Sequence, residues 1–323
     1  MRVTLENAPI VFIMGPTASG KTALAIELYQ NPVDSIQYEI ISVDSAMVFT
    51  QMDIGSAKPN DKELALAPHH LIDFVDPADS YSVANFRQDA ISLINQIHRR
   101  NRVPLLVGGT MMYYKALKDG LAEMPSTSES VRQQVKALVT KHGLQWLHQQ
   151  LGMVDPETAS RLHINDSQRI TRAYEVYLMT DKPLSQWHAE QKLQSLTNPL
   201  LSIALAPSER SVLHQRIEQR FKLMVSAGFL EEVEALHRRG DLNLELPSMR
   251  CVGYRQIWQY LEGELSLEEA IDRAIIATRQ LAKRQYTWLR SWPDVHWYDP
   301  LDPRAMLECK QFITDFSTRH PMV

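Results

Sequence analysis

Cysteine is nearly absent from this chain. Cys251 and Cys309 are the only two among 323 residues, and they form no C-x-x-C pair. That excludes a disulfide framework and a cysteine-built zinc site. The eleven histidines contain no H-E-x-x-H and no Cys/His cluster, so His69 and His70, ahead of a candidate strand, read as structural rather than metal-ligating. Neither sign of charge is in large excess. With a net charge of −4, any nucleic-acid binding must rest on a local basic surface rather than on overall attraction. No apolar stretch approaches a membrane span, and the run in MRVTLENAPIVFIMG is too short for a signal peptide. Low-complexity tracts and long linkers are missing too. These absences lead to the expectation of a cytoplasmic protein with no membrane partner, expected as a monomer.

What is present is an ordinary globular composition, 44% hydrophobic and 22% charged. The length suits two domains, or one domain with a large insertion. Near the start stands IVFIMGPTASGKTALAIEL, Ile10 to Leu28. An apolar run enters a loop with glycine at both ends, and a helical pattern follows. Gly15, Gly20, Lys21 and Thr22 fit G-x-x-x-x-G-K-[ST]. Glycines let backbone N–H groups wrap an anion, and the new helix points its positive end at the same place. Lys21 adds a charge on the phosphate oxygens, and Thr22 offers a hydroxyl to Mg2+. The pattern specifies a polyphosphate without saying which one.

Short β-branched runs then alternate with helical patterns, which argues for a parallel sheet with crossover helices. Candidate strands are 10–14, 40–43, 70–74, 103–107, 200–205 and 295–298. Ligands of such sheets lie outside the carboxyl ends of the strands. From about Ser130 to Gln194 the pattern is helical only, with helix starts at Asp155-Pro156 and Asp166 and a stop near Thr180–Pro183. The expected fold is α/β: a P-loop NTPase-like core, its parallel sheet flanked by helices, with an all-helical insertion. The segments are 1–127, 128–195 and 196–323. In the last segment Leu213, Ile217, Phe221, Met224 and Val225 share a helix face. SLEEAIDRAIIATRQLAKRQYTWLRSW is a long amphipathic helix. Between Arg273 and Arg290 it carries Arg279, Lys283 and Arg284 and no acid.

Several residues could carry chemistry. Asp44 ends a strand in IISVDSAM and is open to three readings: a Walker-B-like aid to Mg2+, a proton acceptor beside the phosphate loop, or a helix N-cap. Gly108, Gly109 and Thr110 in LLVGGTMMYY end another strand, where two glycines permit a ligand's close approach or merely a tight turn. Arg216 and Arg220 lie one helical turn apart. They form either a solvated face with Glu218 nearby or an arginine reaching the phosphates from a distant segment. The basic helix, interleaved with Tyr286 and Trp288, fits RNA binding or a plain solvated face. RCVGYRQ, with Arg250 and Arg255, adds a second basic loop.

Taken together, GPTASGKT, ISVDSAMVFTQMDIGSAKP, HHLIDFVDP, YSVANFRQDA, LLVGGTMMYY, NDSQRITRAYEV, HQRIEQRF, RCVGYRQ and ATRQLAKRQYTWLR resemble the bacterial tRNA dimethylallyltransferases, also called tRNA isopentenyltransferases. The resemblance spans nearly the whole chain. It implies transfer of a dimethylallyl group from dimethylallyl diphosphate to the exocyclic amine of the adenosine 3′-adjacent to a tRNA anticodon. Gly15, Pro16, Thr17, Ala18, Ser19, Gly20, Lys21 and Thr22 would then hold the diphosphate, with Mg2+ on Thr22. Asp44 would take the amine proton, Lys21 and Arg220 would stabilise the departing diphosphate, and Thr110 would lie where the two substrates meet.

The tRNA anticodon stem-loop would be the other partner. Carried over from the family, its contacts are Asp44, Ser45, Ala46 and Met47; Thr110; Arg132; Gln168, Arg169, Ile170, Thr171 and Arg172; Arg250, Cys251, Val252, Gly253, Tyr254 and Arg255; and Lys283, Arg284, Gln285, Tyr286, Thr287, Trp288, Leu289 and Arg290. The target base would be flipped out of its stack, and the insertion would grip the stem-loop. Met47, Phe49 and Ser56 depart from the glutamine, tyrosine and threonine usual in the family. The zinc finger of eukaryotic members has no counterpart. Among competing readings, a small-molecule P-loop kinase would need an adenine pocket and a mobile arginine lid, and an RNA-binding ATPase switch would form no covalent product.

Overall fold

The computed structural model describes residues 7–33, 36–122, 124, 127–191 and 194–320. Its strands are β1 (Ile10–Met14), β2 (Tyr38–Val43), β3 (His69–His70), β4 (Val103–Gly108), β5 (Leu200–Leu205) and β6 (Val295–Tyr298). The helices are α1 (Lys21–Gln30), α2 (Asp61–Leu66), α3 (Val83–Arg99), α4 (Met111–Asp119), α5 (Glu129–His142), α6 (Leu144–Val154), α7 (Pro156–Arg161), α8 (Ser167–Thr180), α9 (Leu184–Glu190), α10 (Arg210–Ser226), α11 (Phe229–His237), α12 (Tyr254–Leu261), α13 (Leu267–Arg290) and α14 (Pro303–Arg319). The strands form one sheet in the order β3-β2-β4-β1-β5-β6, and every pairing is parallel.

β1, β2 and β4 are buried at every residue, as strands covered on both faces must be. On one face Phe12, Met14 and Ile41 pack with Phe86 and Ile94 of α3 and Tyr114 of α4. On the other, Val11, Ile13 and Ile40 pack with Leu24 and Leu28 of α1 and with Cys309 and Ile313 of α14. The Tyr114 hydroxyl lies 3.1 Å from the Ile13 carbonyl and 2.9 Å from that of Leu106, bridging β1 and β4.

The third strand departs from expectation. It was expected over 70–74 and ends at His70, because Leu71 and Asp73 adopt φ of 61° and 59°, which a pleated strand cannot accommodate. The chain that follows turns instead onto the segment after β2. Asp73 and Phe74 donate their N–H groups to the carbonyls of Met47 and Val48, both at 3.0 Å. Val48, Phe49 and Met52 are thereby seated in a third core with Phe221, Phe229 and Tyr254. Phe49 is buried within this core.

The chain divides into two compact units, 119–195 and the remainder. The larger unit holds the sheet; its chain is left at Lys118 and rejoined at Leu196, whose N–H donates to the Lys118 carbonyl at 2.9 Å. The smaller unit is helical, built around Val135, Leu147, Leu151 and Ile170. Its helix starts fall where the sequence places them, with Asp155 and Asp166 accepting from Thr158 and Arg169 N–H at the first turns of α7 and α8. α13 opens on a reciprocal cap between Ser266 and Glu269, which fixes the start of the long basic helix. Among the described residues no helix is long and apolar enough to cross a membrane.

Candidate active site

β1 ends at the middle of the sheet, and the loop from Gly15 to Gly20 leaves from there. Ala18 and Gly20 take left-handed φ of 63° and 92°, turning successive N–H groups to one side. Gly20 is also the N-cap of α1, and no side chain caps that helix. Its first N–H groups are therefore left for a ligand. Lys21 folds back, its Nζ donating to the Pro16 carbonyl at 2.7 Å. The Ser19 hydroxyl is buried without a hydrogen-bond partner. Burial brings the Lys21 ammonium down to about 7; the nearby Arg220 charge adds to this, and Asp44 opposes it. The loop thus turns backbone N–H groups to one side close to the Lys21 and Arg220 cations.

Asp44 follows β2. No helix begins there, so the N-cap reading fails, but the carboxylate does hold the local turn: Oδ1 accepts from Ala46 N–H at 2.8 Å and Met47 N–H at 3.2 Å. Its other oxygen has no hydrogen-bond partner among the described residues. Thr110, after β4, donates its backbone N–H to the Val43 carbonyl at 3.2 Å and accepts at Oγ1 from Ser45 N–H at 3.1 Å. The two strand ends are thereby tied side by side. The paired glycines are required by the packing, and both also line a cavity at this sheet edge. A Cβ on Gly108 would stand 2.0 Å from the Val43 carbonyl oxygen, and one on Gly109 would stand 2.2 Å from Nε2 of Gln285.

Arg220 and Arg216 part company. Arg220 on α10 reaches the phosphate loop, where its Nη1 lies 3.4 Å from Thr17 Oγ1. Burial lowers its pKa, and Asp44 offsets part of that. Glu218, the expected neighbour on a solvated face, pairs instead with Lys222 at 2.7 Å and with Arg279 of α13 at 2.8 Å. A cavity of about 550 Å³ opens among these groups. Thr17, Lys21, Thr22, Asp44, Thr110 and Arg220 supply its polar wall; Met47, Met112, Ile217, Phe221, Met224 and Trp288 supply an apolar one. Cys251 also lines it, and burial pushes its thiol up to about 12. His69 and His70 hold the Ala67 carbonyl and Glu39, at 2.7 and 2.9 Å.

The residues expected at RNA divide by exposure. Lys283, Arg284, Thr287 and Arg290 are exposed along one side of α13, and Arg284 and Trp288 also line the cavity. Arg250 and Arg255 are exposed, while Val252 is half-buried. Gln285, Leu289, Gly253 and Tyr254 face the interior, and Tyr286 donates its hydroxyl to the Pro207 carbonyl at 2.8 Å. In the helical unit Arg132, Gln168 and Arg169 are exposed, Thr171 and Arg172 are half-buried, and Ile170 belongs to the core. Arg132 and Arg169 form loose pairs with Glu129 and Asp166, at 3.7 and 3.5 Å.

One supporting residue escaped the sequence reading. The Glu232 carboxylate accepts the N–H groups of Asp53, Ile54 and Gly55 at 3.0, 2.7 and 3.1 Å, and the Tyr254 hydroxyl at 2.6 Å. It pins the segment leading away from Asp44 onto α11 and α12. Its sequence context, FLEEVEAL, looks like any acidic helix start, so no local signal could have found it.

Residues 47–292 match the family model of the IPP transferases. Among solved structures, the full-length tRNA isopentenylpyrophosphate transferase of Bacillus halodurans is 36% identical, over 97% of this chain and 98% of that one, with a TM-score of 0.69. The tRNA delta(2)-isopentenylpyrophosphate transferase of Staphylococcus epidermidis is 33% identical, over 97% and 99%, at 0.66. A eukaryotic dimethylallyltransferase acting on tRNA is 26% identical, over 97% and 80%, at 0.81. With sequence similarity running through nearly the full length of two bacterial transferases, the chain belongs to the IPP transferase family of prenyl-transferring enzymes.

Proposed function

We propose that this chain transfers a dimethylallyl group from dimethylallyl diphosphate to the exocyclic amine of the adenosine 3′-adjacent to the anticodon of tRNA. The observation that carries this reading is the meeting of a G-x-x-x-x-G-K-T loop, a cation from a distant helix and the Asp44 carboxylate at one cavity. The adenine amine is a poor nucleophile, since its lone pair is delocalised into the ring. As its nitrogen bonds to the allylic carbon, the carbon–oxygen bond to the diphosphate breaks. Diphosphate leaves with the bonding electrons, and the amine gives up a proton to Asp44. Lys21, Arg220 and the N–H groups at the start of α1 face the departing charge, where fixed donors stabilise the transition state more than the ground state. The apolar wall suits the isoprenoid tail, and the exposed cations of α13 suit RNA phosphates.

Mg2+ fits this donor set. Thr22 and Asp44 both line the cavity, and among the described residues no cluster of three or more His, Cys, Asp or Glu forms a protein cage. That suits an ion held mainly by substrate phosphates and water. Bound there, it would neutralise diphosphate charge, with Thr22 as the protein ligand.

Label transfer tests the reading. Protein, Mg2+, unmodified tRNA and dimethylallyl diphosphate labelled in the isoprenoid should give label on the adenosine beside the anticodon after digestion. Unlabelled tRNA, with ATP hydrolysed when it is offered instead, would return the chain to the kinase or switch reading.

Two further results are expected. Lys21 is largely neutral above about pH 7 in the free protein, and a bound diphosphate restores its charge. Substrate binding therefore takes up a proton, so affinity for dimethylallyl diphosphate should fall as pH rises from about 7 to 8.5. Calorimetry in buffers of different ionisation enthalpy reads the uptake directly, and none at pH about 8 would remove Lys21 from the phosphates. On the RNA side, changing Lys283, Arg284 and Arg290 to alanine should weaken tRNA binding and reduce the slope of log K against log salt by about 0.7–0.9 per lost phosphate contact. An unaltered slope would exclude this face of α13.

A further inference from the structure

Gln285 is buried, and the reaction described above leaves it without a task. It sits on α13 among exposed cations, yet its side chain turns inward and only 7% of the residue is exposed. Both ends of its amide engage backbone. Oε1 accepts from Thr17 N–H at 3.0 Å, and Nε2 donates to the Gly109 carbonyl at 2.9 Å. The two partners belong to different halves of the site. Thr17 lies within the phosphate loop and meets Arg220 through its hydroxyl. Gly109 precedes Thr110, whose Oγ1 holds Ser45 next to Asp44. A continuous path of hydrogen bonds and chain therefore runs from Arg220 through Thr17, Gln285, Thr110 and Ser45 to Asp44. One end faces the leaving group and the other faces the amine.

We infer that Gln285 is a positioning residue for group transfer, fixing the separation between the phosphate loop and the Thr110 turn, and so between the groups that stabilise the departing charge and the base. This rests on the reaction proposed above. Two features make the link specific. Thr17 N–H is committed to Gln285, so the donors left for the diphosphate begin further along the loop, and the amide sets where the ligand sits. Gly109 keeps the space open: its added Cβ would stand 2.2 Å from Nε2 and 3.2 Å from the Gly15 carbonyl oxygen. The amide and the glycine are a matched pair.

The test uses Gln285→Met, which keeps the length of the side chain and removes both hydrogen bonds, and Gly109→Ala, which displaces the amide while leaving it in the chain. With both substrates saturating, each variant should lower the single-turnover rate of label transfer by about 10- to 100-fold, with tRNA affinity in the absence of dimethylallyl diphosphate within about twofold of wild type. The double variant should be no slower than the worse single one, because both break the same link. Thermal melting identifies a variant that fails to fold, and the other then decides. A wild-type rate in the folded variant would overturn the inference. So would a rate loss matched by lost tRNA affinity, since Gln285 would then serve RNA binding. If wild type itself labels no tRNA, the reaction falls and takes this role with it, a result distinct from an active wild type beside equally active variants.

Discussion

Asp44→Asn should bind tRNA as wild type does and transfer the dimethylallyl group about 10²–10⁴-fold more slowly. Asparagine keeps the oxygen that accepts from Ala46 and Met47, so the turn after β2 survives. What is lost is the second oxygen, which has no hydrogen-bond partner among the described residues and is the proposed acceptor of the amine proton. The substitution also deletes a charge that raises the pKa of Lys21. The pH at which affinity for dimethylallyl diphosphate begins to fall should therefore move down. Single-turnover label transfer and filter binding separate the two effects. Turnover within about tenfold of wild type, below what a general base contributes, would remove Asp44 from that role.

Arg220→Ala is the second large effect, about 10²–10³-fold in turnover, the usual result of removing one fixed donor from a developing negative charge. Arg220 is well placed for this, being held against Thr17 in a half-buried position. Its burial makes the free enzyme pay a desolvation cost that the bound diphosphate relieves. Lysine should not rescue it, since a single ammonium cannot reproduce the planar guanidinium's contacts with both Thr17 and a phosphate. Arg216→Ala, one turn earlier on the same helix, is the control. Its guanidinium contributes to the field around Asp299 and does not line the cavity, and turnover should change little. Equal losses from both substitutions would mean that α10 acts by general charge rather than by one placed donor.

The parts of the site legible in the sequence are those encoded locally. Residues 10–22 carry their strand, loop and helix start in one run, and Asp44 follows its strand directly. The caps at Asp155 and Asp166 are likewise short-range. The third strand was read too long because an apolar segment gave no sign that Leu71 and Asp73 turn left-handed. Gln285 and Glu232 were illegible as supports for a different reason. Gln285 meets Thr17 across 268 residues and Gly109 across 176, and Glu232 meets Asp53 across 179. Helix periodicity marks which side chains turn inward, but nothing local marks which distant backbone groups they will meet. The resemblance placed Gln285 at RNA because it lies in a segment with exposed cations, whereas helix periodicity points it the other way.

The sheet order has a consequence for synthesis. The phosphate loop precedes β4, β5 and α13 in the chain, yet β1 needs both β4 and β5 as neighbours, and Gly15 packs against the carbonyl of Leu205. A nascent chain that has emerged only through the helical unit carries the G-x-x-x-x-G-K-T signature but has no β5 to hold it and no Gln285 to set it. Such a chain leaves the apolar edge of β1 uncovered, the state in which partly made proteins aggregate or recruit chaperones. The loop from Gly15 to Gly20 is therefore held by all its neighbours only when the segment through α13 has been made and packed.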